Sequence, residues 1–213
     1  MAREGIPFVA VGLILTVACW YVSSYVAAAQ IGTGLFAVLS LFMAFFFRDP
    51  RRTPPEGEHL VLSAADGRVV AIDTVEHDEH LEGAATRIST FLSPLDVHVN
   101  RTPLAGVVDF VRWHKGRFHA AFVAAASTEN EQSIIGIRQG STLVVVKQIV
   151  GVVARRIVCY LRAGDTIGRG EKFGLIRFGS RVDLIVPADT RMQVRVGDRV
   201  RAGETVIGVI GDV

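Results

Sequence analysis

The chain has 213 residues, a formal net charge of +2, a hydrophobic share of 50% and a mean hydropathy of +0.37. That balance excludes a wholly disordered chain and a nucleic-acid-binding arm, and it exceeds what a soluble enzyme carries, so part of the chain is expected in a membrane. Cys19 and Cys159 are too few for a disulfide framework, and the six histidines form no HExxH pair or metal-ligand spacing. A reducing, cytoplasmic setting without a metal site is expected.

One segment supplies the apolar excess. From residue 5 to residue 47 the chain is uncharged, with an apolar run at 6–29, a turn signal at Ile31-Gly32-Thr33-Gly34 and a second run at 35–47. The first run exceeds the roughly 20 residues needed to cross a bilayer. The second is shorter, so it spans with a tilt or lies re-entrant. Arg3 precedes the pair and Arg48, Arg51 and Arg52 follow it, so a hairpin with both ends on the cytoplasmic face satisfies the positive-inside rule. A cleaved signal peptide, for which Ala27-Ala28-Ala29-Gln30 mimics a cleavage site, and a buried core hairpin are the competing readings. Pro50, Pro54, Pro55 and Gly57 then forbid helix continuation. The division expected is an anchor at 1–49, a stiff linker at 50–58 and a domain at 59–213.

The domain reads as mainly β (α+β), with short β-branched runs at 60–62, 68–72, 87–91, 106–111, 133–137, 143–150, 155–160, 182–186, 192–196 and 205–210. Residues 120–126 and 150–157 fit helix or strand equally. A weak repeat of period 33 is present. Gly164-Asp165-Thr166-Ile167 leads to Gly170-Glu171, and Gly197-Asp198-Arg199-Val200 leads to Gly203-Glu204. This is the grammar of a flattened, lipoyl-like β-sandwich. No lysine lies between the copies at a carrier-type hairpin tip, so the repeat reads as architecture.

The segment Arg177-Phe178-Gly179-Ser180-Arg181-Val182-Asp183 places a Gly-Ser pair between two strand-like runs. It lacks the second glycine of a nucleophile elbow, and alone it is an ordinary turn dipeptide. Its company is more specific. Phe47-Arg48-Asp49-Pro50-Arg51-Arg52, Ser63-Ala64-Ala65-Asp66-Gly67-Arg68-Val69 and Phe91-Leu92-Ser93-Pro94-Leu95-Asp96-Val97-His98-Val99-Asn100-Arg101 precede it. So do Lys115-Gly116-Arg117-Phe118, Asn130-Glu131 and residues 148–157. Together with Gly174-Leu175-Ile176 these segments resemble, in order and over nearly the whole chain, the short membrane-associated bacterial and archaeal-type phosphatidylserine decarboxylases.

The resemblance implies a proenzyme that cuts itself between Gly179 and Ser180 into a β chain, 1–179, and an α chain, 180–213, which stay associated as a heterodimer. Ser180 would become an N-terminal pyruvoyl group and form a Schiff base with phosphatidylserine, releasing CO2 and phosphatidylethanolamine with neither pyridoxal phosphate nor a metal. His98 matches the family's general acid and base, and Asp66 the aspartate that supports self-cleavage. A second histidine serves as the self-cleavage base in better-known members, but Arg101 stands there and cannot accept a proton. His98 would then take both roles, or His114 or His119 would supply the base, and Arg101 would hold the substrate phosphate or carboxylate. Asp96 would position its loop. The expected place is the inner or plasma membrane, with the domain on the cytoplasmic face and no nucleic-acid partner. Two alternatives are a non-enzymatic, membrane-tethered β-sandwich adaptor and the same chemistry on another serine phospholipid.

Overall fold

The computed structural model describes residues 1–81, 83–120, 123, 126–152 and 156–211. The chain divides into two compact units, 1–50 and 51–213.

In the first unit a 3-10 turn, Arg3–Gly5, leads into α1 (Ile6–Ser23) and α2 (Ala29–Phe46). Each helix has 18 residues and so extends about 27 Å, close to the thickness of a bilayer core. Both are long and apolar enough to cross a membrane, and most of their side chains are exposed. The expected turn at 31–34 is instead helical, and the chain reverses over residues 24–28. Contacts between the helices explain why. Gly5 packs on Phe47, Gly12 on Ser40 and Gly32 on Cys19, so small residues at heptad-like intervals let two antiparallel backbones approach. Gly32 therefore serves packing, and a helical backbone also satisfies its own hydrogen bonds in apolar surroundings.

The second unit is mainly β. Its strands are β1 (Leu60–Leu62), β2 (Gly67–Asp78), β3 (Gly83–Leu92), β4 (Val99–Arg101), β5 (Gly106–His114), β6 (Gln132–Gln139) and β7 (Thr142–Val150). There follow β8 (Ile157–Cys159), β9 (Thr166–Ile167), β10 (Lys172–Ile176), β11 (Ser180–Pro187), β12 (Arg191–Met192), β13 (Arg199–Val200) and β14 (Val206–Val209). One short helix, α3 (Ala126–Glu129), precedes β6. Of the two segments left open between helix and strand, 121, 122, 124, 125 and 153–155 lie outside the described residues.

Eight strands form an antiparallel sheet in the order β13-β2-β3-β11-β7-β6-β5-β9, flanked by the three-stranded sheets β1-β14-β12 and β4-β10-β8. The repeat explains both edges of the large sheet. Asp165 and Asp198 each accept a hydrogen bond from the backbone N–H three residues upstream, Arg162 and Arg195, at 2.7 and 2.8 Å. These turns launch β9 onto β5 and β13 onto β2. The sheet curls until the Gly170 and Gly203 turns meet, with Gly203 so close to the Gly170 backbone that a side chain would crowd it. Inside the curl, Val69, Ile88, Leu92, Val144, Val146, Val150, Val182, Leu184 and Val186 form the main core. β11 is central and buried on both faces. Its other face sets Ile185 among Ala85, Ile134 and Val145.

Candidate active site

The antiparallel register gathers the candidate residues at one end of the large sheet. Arg68 near the start of β2 faces Phe91 near the end of β3, which faces Arg181 near the start of β11. Ser180, the first residue of β11, sits between Leu92 on β3 and Val150, the last residue of β7. Asp66 immediately precedes β2, and residues 93–98 immediately follow β3. The loop folds back across this end, because Arg199 on β13 reaches the Asp96 carboxylate at 3.5 Å.

Residues 177–179 carry the chain from β10, in a small sheet, to β11, at the centre of the large one. Phe178 and Gly179 both adopt left-handed backbone angles, φ +63° and +68°. For Phe178 this costs roughly 1–2 kcal/mol, so strain is stored one residue before the Gly179-Ser180 bond. Ser180 is fully buried, and its Oγ has no hydrogen-bond partner among the described residues. A buried hydroxyl left unsatisfied costs about 1–3 kcal/mol, which a purely structural position would shed by using alanine.

His98 is 2% exposed. Its carbonyl accepts from the Ile176 N–H at 3.4 Å, which fixes the histidine beside the strand end that leads into 177–179. Its Nδ1 lies 3.0 Å from the Asp96 carbonyl. A carbonyl can only accept, so Nδ1 carries the proton and Nε2 is the basic nitrogen. The Asp96 carboxylate accepts from Ser93 N and Oγ at 2.8 and 2.6 Å, closing the loop that holds the imidazole.

Asp66 is bound on both oxygens, accepting from Ala202 N at 2.8 Å and from Arg52 Nη2 at 2.7 Å. Burial lifts its carboxyl above the ordinary aspartate range, while the Ala202 N–H and Arg52 pull it back and the Asp96 charge adds a smaller push upward. Arg52 also donates to Glu204 at 2.9 Å. Burial pushes Glu204 up too, but the hydrogen bond and charge of Arg52 prevail and hold it below its usual range. One guanidinium thus binds two carboxylates, and desolvation decides which stays closer to neutrality.

The remaining candidates fall in different places. His114 ends β5, three strands from β11, or about 14 Å at the usual strand spacing and beyond direct proton transfer. The His119 ring pairs with Glu129 at 3.1 Å, while its backbone is clamped by Asn130, whose Nδ2 also donates to the carbonyl of Val150 beside Ser180. The Arg101 guanidinium donates to the Gly170 carbonyl at 3.2 Å.

Two buried groups were not legible in the sequence. Ser133, Gln148 and Asn100, all fully buried, form a chain in which Ser133 Oγ donates to Gln148 Oε1 at 2.7 Å and Gln148 Nε2 donates to Asn100 Oδ1 at 2.8 Å. On the opposite face Arg181 pairs with Asp183 through two bonds of 2.6 and 3.1 Å and donates to Ser89 at 2.6 Å. Each joins strands far apart in sequence, and their only advance signal is polar residues inside strongly β-forming runs. Among the described residues, no group of His, Cys, Asp or Glu is arranged to hold a metal ion.

Comparison with known proteins bears on this site as a whole. Residues 39–208 match the family model described as phosphatidylserine decarboxylase. The chain is 41% identical to the phosphatidylserine decarboxylase proenzyme of Desulfotalea psychrophila, over 99% of this chain and 96% of that one. With the proenzymes of Symbiobacterium thermophilum and Salinibacter ruber the identities are 44% and 48%, covering 98% and 79% of this chain and 94% and 76% of theirs. With 170 of its residues matched and identities above 40% over nearly its full length, the chain belongs to the phosphatidylserine decarboxylase family.

Proposed function

We propose that the chain is a self-processing decarboxylase that converts phosphatidylserine to phosphatidylethanolamine and CO2. The observation that carries this reading is Ser180: a buried hydroxyl without a partner among the described residues that follows two left-handed residues, in a chain whose relatives are named proenzymes. The Ser180 Oγ adds to the Gly179 carbonyl as its proton leaves to a base, the C–N bond breaks, and the amine takes a proton. β-Elimination of the ester releases the Gly179 carboxylate, which carries away the former Ser180 Oγ, and leaves dehydroalanine, which water hydrolyses to a pyruvoyl group at residue 180 with loss of ammonia. The unsatisfied site at Ser180 fits such a group, because its formation removes the orphaned hydroxyl oxygen from the core. That group supplies an electron sink for the serine headgroup of the lipid.

The chain's own residues do the rest. His98, with Nδ1–H held by the Asp96 carbonyl, presents Nε2 as the proton carrier. Asp66, its carboxyl raised by burial, supports the base of self-cleavage. Arg101, braced on Gly170, supplies fixed positive charge for the anionic headgroup. Residues 1–49 anchor the enzyme, 50–58 link it, and the domain at 59–213 works on the cytoplasmic face, as the arginines around the hairpin favour.

Intact-mass spectrometry of the denatured protein tests this directly. A 34-residue C-terminal fragment blocked by a pyruvoyl group is expected, and Ser180→Ala should give one uncut, inactive chain. Full activity of Ser180→Ala would refute the mechanism, and an uncut wild-type chain would favour the tethered adaptor. His98→Ala should keep the fold and lose decarboxylation by roughly 10²-fold or more.

A further inference from the structure

The Ser133-Gln148-Asn100 chain ends on an amide nitrogen without a hydrogen-bond partner among the described residues. Asn100 is fully buried; its Oδ1 accepts from Gln148, and its Nδ2 has no hydrogen-bond partner among the described residues. In this chain Ser133 donates to Gln148 Oε1, Gln148 Nε2 faces Asn100 Oδ1, and the Asn100 N–H groups are turned away from Gln148. A buried donor without a partner costs as much as the Ser180 hydroxyl in the same position.

Ser180 and Gln148, the residue that binds Asn100, lie on the same face of the large sheet. Ser180 is opposite Val150 and Val182 is opposite Gln148, so Ser180 and Gln148 are diagonal neighbours with side chains on the core side of β11 and β7. Asn100 reaches Gln148 from β4, whose partner β10 runs directly into residues 177–179. His98, two residues upstream, is placed by the same β4–β10 contact.

We propose that Asn100 is a catalytic residue of self-cleavage: its Nδ2 donates to the negatively charged oxygen formed when the Ser180 hydroxyl adds to the Gly179 carbonyl, with Gln148 and Ser133 as positioning residues. In that step the Oγ–C bond forms, the carbonyl π pair moves onto the Gly179 oxygen, and the hydroxyl proton goes to the base. The oxygen's electron pair then re-forms the carbonyl as the C–N bond breaks, and the Ser180 nitrogen leaves with the proton returned by the base. A fixed N–H aimed at such an oxygen in a water-free site is the arrangement that stabilises acyl-transfer intermediates. This role rests on the self-processing reading above, and it adds the electrophilic half that a nucleophile and base alone do not supply.

The test follows the appearance of the 34-residue fragment over time in freshly made full-length protein, with and without hydroxylamine, which cleaves the ester but not the amide. Asn100→Asp keeps the size of the side chain and removes the donor, and it should slow cleavage by roughly 10²-fold without rescue by hydroxylamine. Gln148→Glu, which replaces the donor to Asn100 Oδ1 by an acceptor and so draws the Asn100 N–H groups toward itself, should slow it less and in the same way. Should Asn100→Asp fail to fold by circular dichroism, Gln148→Glu carries the test alone. Normal cleavage in the folded variants overturns the proposal. So does slow cleavage that hydroxylamine restores, because the residue would then act after the ester has formed. A wild-type chain that never cuts overturns the self-processing reading itself, which separates the two failures.

Discussion

Arg52 shows how a single side chain sets the charge state of the site. It is the second residue of the domain unit, yet it contacts both Asp66 and Glu204, and its own side chain is 8% exposed. Asp66 holds its proton more tightly when folded than when unfolded, so its contribution to stability is full below about its ordinary value of 3.8 and is lost as pH rises through the raised folded value. Glu204 runs the other way: its contribution is present above 4.5 and is lost as pH falls through its lowered value. Removing the cation with Arg52→Met leaves two carboxylates without their partner and should cost about 3 kcal/mol at pH 7. That loss should shrink toward pH 4, where the carboxyls that have lost Arg52 take up protons. Thermal unfolding in detergent on a Ser180→Ala background checks it, and a loss equal at the two pH values would mean that Arg52 acts by packing alone. Gly179→Ala belongs to the same scale. A Cβ there meets open space but must take φ +68°, so the variant should fold, lose roughly 1 kcal/mol and cut more slowly.

Among the elements, the helical hairpin makes the sharpest prediction. A Cβ built on Gly32 lies 3.1 Å from Cys19 Sγ, within reach of a disulfide. Gly32→Cys should therefore cross-link to Cys19 under mild oxidation, seen as a change in mobility that reductant reverses. Failure to cross-link would mean that α1 and α2 do not pack in this register. Strand legibility followed β-branched content. The runs at 106–111, 133–137 and 143–150 emerge within β5, β6 and β7, because β-branched residues over several positions carry their own signal. The run at 192–196 shrinks to a two-residue β12, and β4, β9, β10 and β13 carried too little pattern to announce themselves. β9 and β13 exist because the Gly-Asp turns deliver them to the sheet edges, so the repeat was the better guide to them than any propensity.

For the whole molecule, the placement of β11 decides what cleavage can do. The strand that would begin the small chain is central, paired along its length with β3 and β7 and buried on both faces. A cut before Ser180 therefore leaves the sheet intact. The two chains should co-elute in native size-exclusion chromatography and separate only in denaturant, and dissociation in mild detergent alone would contradict this topology. The Arg181-Asp183 pair reinforces the hold, since breaking one partner of such a buried pair costs several kcal/mol.

What the sequence determined by itself was local or linear: an uncharged 43-residue apolar stretch, a mainly β domain, and a Gly-Ser junction whose neighbours resemble one enzyme family. These are legible because hydropathy, β-branching and motif order are properties of adjacent residues. The tertiary structure alone decided that Asp66, His98 and Ser180 share one end of a sheet, that His114 lies three strands away, and that Asn100, Gln148 and Ser133 form a buried relay. Antiparallel register creates those neighbours across separations of up to 114 residues, and whether a polar group is satisfied or left unpaired is settled only when the strands have packed.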